Sequence, residues 1–153
     1  MKKKLRLVTV LKIKEHLETL IDKLYGSIIN NNETERSVDS LFNDLICAHD
    51  QLIIIKEAVQ KANQGRHKTG KSNNYYIYKY SNLQALKGFY FKVKNKATAE
   101  CQVTPDDAML KIRKINADLD TISSKLSNFN LRKRVQVVLD DKLELDLVLL
   151  EQL

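Results

Sequence analysis

After Thr104, apolar residues recur at Ala108, Ile112, Ile115, Leu119, Ile122, Leu126 and Phe129. The steps alternate between 4 and 3, which lays one apolar seam along a long helix. Thr104-Pro105-Asp106-Asp107 supplies its start. The threonine caps, the proline lacks an N–H where none is needed, and the acids face the positive end of the helix dipole. The spacing predicts a helix over 105–130. Two earlier segments carry comparable seams. Val10, Ile13, Leu17, Leu20 or Ile21, Leu24 and Ile28 predict a helix over 8–29, stopped by Asn30-Asn31-Asn32. Ser37 is an N-cap for a helix over 37–63, with Leu41, Leu45, Leu52, Ile55, Val59 and Ala62 on its inner face. Phe42, Ile46, Ile53 and Ile54 widen that face, so this helix should be the most buried.

The pattern changes twice. Gln64 to Asn74 is polar with two glycines and reads as a loop. Tyr75-Tyr76-Ile77-Tyr78-Lys79-Tyr80 is rich in β-formers and reads as extended. Ser81-x-x-Gln84 then fits a capping box opening a helix over 81–97, with Leu86, Tyr90, Val93 and Ala97 inward. Alternation from Phe91 to Val103 leaves a strand open there. After Phe129 the period becomes 2: Val135, Val137 and Leu139, a turn at Asp140-Asp141-Lys142, then Leu143, Leu145 and Leu147. That predicts a β-hairpin over 134–148. The expected fold is all-α: an antiparallel helical bundle or coiled-coil-like hairpin of three or four helices, with a small β element at 75–80 and a C-terminal β-hairpin.

Composition narrows this picture. The 153 residues suit one domain, 1–153. Only 4 Gly and 1 Pro favour long helices over a many-turned β fold, and 43% hydrophobic residues exclude general disorder. No run approaches the roughly 20 apolar residues that span a bilayer. Met1-Lys2-Lys3-Lys4 resembles the basic end of a signal peptide, but Arg6, Thr9 and Lys12 break the apolar run behind it. With Cys47 and Cys101 the only cysteines, a reducing compartment fits, and a cytoplasmic protein is expected.

Charge adds more. The net charge is +7, and it is unevenly spread. Residues 64–100 carry eight basic groups and one acidic; residues 31–63 carry three basic and six acidic. An anionic partner belongs with the first region. Arg66, Lys68, Lys71, Lys79, Lys87 and Lys94 could meet phosphates while Tyr76 and Tyr78 offer stacking faces for nucleic acid. The bland alternative is packed tyrosines and solvated lysines. Residues 1–29 could instead lie on a membrane surface, but Glu15, Glu18 and Asp22 argue against that partner.

One motif is tempting. Gly65-Arg66-His67-Lys68-Thr69-Gly70-Lys71-Ser72 satisfies the phosphate-loop pattern GxxxxGK[ST]. A nucleotide site needs a buried strand before the loop and a helix after it. Here a polar helix end precedes and an extended Tyr-rich run is expected to follow, so a basic surface loop is the better reading. His16, His49 and His67 fall on separate elements without metal-ligand spacing. Cys47 and His49 point in different directions on one helix, and Asp118 and Asp120 flank the long seam as solvated acids. No catalytic, cofactor-binding or metal-binding residue is assigned. The best-supported interaction element is the seam Ile112, Ile115, Leu119, Ile122, Leu126 and Phe129, to be covered by a helix of the same or a second chain.

A distant resemblance joins these elements. Leu24 precedes Asn-rich residues, then comes Leu45…Leu52-Ile53…Val59…Asn63. Near the end stands Asp118-Leu119-Asp120-Thr121-Ile122…Leu126…Phe129-Asn130, leading into a short strand. This order resembles the septicolysin-like family of small, mostly helical bacterial proteins of poorly defined function. The aromatic–Asn pair is inverted here, and Arg132-Lys133-Arg134 stands where that family has a polar run. The resemblance implies a helical fold with a β-like tail, and it brings no catalytic residues. The function expected is non-enzymatic: a self-associating structural or protein-interaction protein, of bacterial or phage origin by its Lys/Asn/Ile-rich composition. The alternative is a nucleic-acid-binding accessory protein using residues 64–96. If the chain self-associates, the exposed edge of the C-terminal hairpin is as good an interface as the long helix, which should pack within its own chain.

Overall fold

The computed structural model describes residues 2–30, 36–95 and 103–140. Among the described residues, four helices and a two-stranded antiparallel sheet make up an all-α fold with a small β element. The chain forms two compact units, one of residues 1–62 with 130–153 and the other of residues 63–129.

The first unit opens on β1 (Lys2–Arg6), which pairs antiparallel with β2 (Arg134–Val138). Leu5 lies opposite Val135 and Lys3 opposite Val137. Alternation turns Leu5, Val135 and Val137 inward and leaves the neighbouring charges outside. The ladder continues past the strand, because Leu7 N–H donates to the Lys133 carbonyl at 2.8 Å. The first arm of the expected C-terminal hairpin is present, and it pairs with the N-terminal segment, 128 residues or more away in sequence, a partner that was not expected; positions 141–148, where the second arm was expected, lie outside the described residues. No strand was expected at β1, since one buried leucine among four cations shows no legible period.

α1 (Leu7–Ile29) buries Leu7, Val10, Ile13, Leu17, Ile21 and Leu24, the expected face. α2 (Val38–Asn63) starts at Ser37, whose hydroxyl accepts from Ser40 N–H at 3.2 Å, and buries Leu41, Leu45, Ala48, Leu52 and Ile55. Tyr25 and His49 share a hydrogen bond of 3.0 Å, and Lys56 reaches Glu18 at 3.7 Å, so α1 and α2 run antiparallel. Gln51 is 3% exposed on the α2 inner face. Its amide donates to the Val138 carbonyl at 2.7 Å and accepts from Asp140 N–H at 2.6 Å. The side chain thus serves as a peptide-like partner at the end of β2.

The second unit holds α3 (Asn73–Asn95) and most of α4 (Pro105–Arg132). Thr104 caps α4 as expected: its hydroxyl accepts from Asp107 N–H at 3.1 Å and donates to the Asp107 carboxylate at 2.7 Å. Ala108, Ile112, Ile115, Leu119 and Ile122 are buried, while Leu126 and Phe129 are half-buried. α3 corrects the expected extended segment 75–80 and the helix start at Ser81. Ser72, not Ser81, is the cap, and its hydroxyl accepts from Tyr75 N–H at 3.2 Å. Gln84, assigned to a capping box, instead donates to the Tyr80 hydroxyl at 3.2 Å, one turn back. β propensity lost because a capped start and one turn of packed tyrosine outweigh preferences worth tenths of a kcal/mol. Phe91–Asn95 is helical, which settles the helix-or-strand alternative there; 96–102 lie outside the described residues. No helix of the described residues is long and apolar enough to cross a membrane.

Candidate functional site

The loop between α2 and α3 is closed on itself. Arg66 and Ser72 form an isolated antiparallel bridge, and His67 N–H donates to the Lys71 carbonyl at 2.9 Å. Gly70 N–H turns back to the His67 carbonyl at 2.9 Å, and Gly70 adopts φ 78°, the left-handed conformation that glycine supplies without steric cost. Beneath the loop, Asn73 is 1% exposed. Its amide nitrogen donates to Asn63 Oδ1 at 2.8 Å. The amide oxygen therefore faces His67 Nε2 at 2.8 Å, and that ring nitrogen carries the proton. The imidazole is held from both sides, edge-on to Tyr76 at 4.6 Å and stacked on Phe129 at 4.8 Å.

Tyr76 is buried beside it, sharing a hydrogen bond of 2.7 Å with the Thr69 hydroxyl. Lys125 Nζ lies 5.0 Å from its ring centre. The Thr69 hydroxyl foremost, then the Lys125 and Lys79 charges, hold the Tyr76 phenol below its ordinary range against the opposing effect of burial. Because the folded value is the lower one, ionisation adds stability above the ordinary phenol range and loses it as pH falls through the folded value. Alkaline titration followed by phenolate absorbance should show Tyr76 ionising below the ordinary phenol range, and Thr69→Ala should raise that value. An unchanged titration in Thr69→Ala would refute the assignment.

This geometry accounts for the phosphate-loop pattern. A helix does follow the loop, contrary to the extended run expected, but α2 rather than a buried strand precedes it. The amides of His67, Gly70 and Asn73 are spent within the loop, and the Ser72 hydroxyl caps α3. Three amides that could face a phosphate are thus turned into the loop, and the residue that would hold magnesium caps a helix instead.

The residues assigned to nucleic acid separate into two groups. Arg66, Lys68, Lys71, Tyr78 and Lys79 are exposed; Tyr76 is buried, and Lys87 and Lys94 are half-buried. Lys71 and Lys79 lie 5.2 and 5.9 Å from the Tyr75 ring centre, and Lys87 lies 6.0 Å from that of Phe91. Among the described residues, no carboxylate pairs with any of these cations. Cys47 is half-buried, His16 is exposed, and His49 is engaged with Tyr25. Among the described residues, no group of three His, Cys, Asp or Glu could hold a metal ion.

A further set escaped sequence reading. Tyr75, Tyr78, Leu86 and Phe89 are 40%, 66%, 43% and 55% exposed. With exposed Asn82 and half-buried Val93, they step by 3, 4, 4, 3 and 4 along α3. The stripe lies about 120° around the helix from the covered side of Tyr76, Tyr80, Leu83 and Tyr90. Leu86, expected inward, is on the outer stripe. The signal was present as spacing, but reading 75–80 as extended cut it in half. No family model, curated protein or solved structure matches this chain.

Proposed function

We propose that the protein is a non-enzymatic, self-associating structural or interaction protein, working in the cytoplasm. The observation that carries this reading is the outer stripe of α3. A 23-residue helix with only Asn73 and Tyr76 buried leaves four large side chains at heptad-like spacing in water. Covering the exposed part of each is worth roughly 1 kcal/mol. That is about 4 kcal/mol in all, only the lower end of association costs of about 4–15 kcal/mol, so apolar area on the partner must be covered as well and the contact is weak. The seam of α4 does not serve this role, since Ile112, Ile115, Leu119 and Ile122 are already buried. The resemblance to septicolysin-like proteins is compatible with a helical protein lacking catalytic residues.

Light scattering across a concentration series should give a mass rising above the monomer's 17.7 kDa. A monomer at every concentration would sink the reading. A nucleic-acid-binding accessory role is the second reading, favoured by the unpaired cations around Tyr75. It requires binding that falls steeply with salt. Unchanged binding after Arg66, Lys68 and Lys71 are replaced by alanine would remove the loop from it.

A further inference from the structure

We infer that the outer stripe of α3 docks on the outer face of α2 in a second copy of this chain. The inference rests on the self-association proposed above and names its surfaces. α2 is also two-sided. Phe42, Ile46 and Ile53 are 47%, 57% and 57% exposed. They lie about 100° around the helix from Leu41, Leu45 and Leu52 on the buried side. Tyr25, 46% exposed, extends this face through its bond to His49. From Phe42 to Ile53 the stripe runs about 17 Å, and from Tyr75 to Phe89 its counterpart runs about 21 Å, by helical rise. The two are matched in length and in side-chain size.

Charge selects the pairing. Asp39, Asp50 and Glu57 border the α2 stripe, all exposed and all without an ion pair among the described residues, and they outnumber the cations beside it, Lys61 and the Glu18-paired Lys56. Lys71, Lys79 and Lys92 border the α3 stripe in the same condition. An α3–α3 contact would set cations against cations, and an α2–α2 contact acids against acids. Only α3 against α2 places opposite charges around an apolar centre, the arrangement that steers and registers an interface. Because the two faces differ, the contact is heterologous, and each copy offers both faces.

The test reverses charge on one face at a time, at exposed positions. Lys79→Glu with Lys92→Glu, and separately Asp50→Lys with Glu57→Lys, should each weaken self-association by about tenfold or more. An equimolar mixture of the two variants should restore it, since the reversed α3 of one copy then meets the reversed α2 of the other. Leu86→Gln with Phe89→Gln should weaken association without any change of charge. Circular dichroism checks that each variant keeps its helices. Association untouched by both reversals, or lost and not restored by mixing, overturns the α3–α2 contact while leaving self-association standing. A wild-type chain that is monomeric throughout defeats the parent reading instead. Loss of oligonucleotide binding in the α3 variant with unchanged self-association would give that face to nucleic acid and also overturn the inference.

Discussion

Gln51→Ala should destabilise the first unit by roughly 2–4 kcal/mol, read as a lower urea midpoint. The size follows from what the side chain does. Gln51 is 3% exposed, and both ends of its amide are used: the nitrogen on the Val138 carbonyl and the oxygen on the Asp140 amide. Hydrogen bonds made in water's absence contribute modestly, but abandoning a buried partner costs about 1–3 kcal/mol. Two backbone groups lose their glutamine partner here, and a small void is added. Gln51→Met separates the terms, since it refills most of the void and restores neither bond. It should recover only the smaller part of the loss. Gln60→Ala, at an exposed position of the same helix, should stay within about 0.5 kcal/mol. A Gln51→Ala midpoint equal to that of Gln60→Ala would show that the clamp on β2 carries no stability.

Asn73→Ala should cost the second unit about 2–3 kcal/mol and loosen the loop above it. Asn73 joins three segments: Asn63 at the end of α2, His67 in the loop and the first turn of α3. Removing its side chain strands the Asn63 oxygen and the His67 N–H together. His67 would keep its stack on Phe129 at 4.8 Å but lose the bond that orients the ring. Amide hydrogen exchange is the sharper readout. The protected amides of His67 and Gly70 should exchange faster in Asn73→Ala, while those in the middle of α4 should not change. Uniformly raised exchange would mean global destabilisation without a local role for the network.

Three of the four helices were legible because each buries one face, and burial of one face writes its period into the chain. The α4 seam of Ile112, Ile115, Leu119 and Ile122 and the α1 seam of Val10, Ile13 and Leu17 are such cases. Their caps, Thr104 and Ser37, were legible for the same local reason: a hydroxyl bonds an amide three residues on. α3 was obscured because it buries so little. With Asn73 and Tyr76 its buried positions, no inner period stood out, and four tyrosines in six residues imitated a strand.

The candidate surfaces divide along the same line. Charge segregation between 31–63 and 64–100 could be counted in the chain, and so could the cations around Tyr75. Which apolar residues stay outside could not, because a helix with two apolar stripes does not say which one its own chain will cover. The α2 helix looked merely broad, and tertiary packing split it into Leu41, Leu45 and Leu52 within and Phe42, Ile46 and Ile53 without. The sequence alone thus determined the helical class, most element boundaries and the charge asymmetry, all set by contacts within a few residues. Tertiary structure alone decided the pairing of β1 with β2, the role of Gln51, the closed loop over Asn73 and the outer stripe of α3. The strand pairing and the Gln51 clamp join groups 87 or more residues apart, which no local period records; the loop and the stripe are local in sequence, but only packing decides which of their groups are covered and which stay outside.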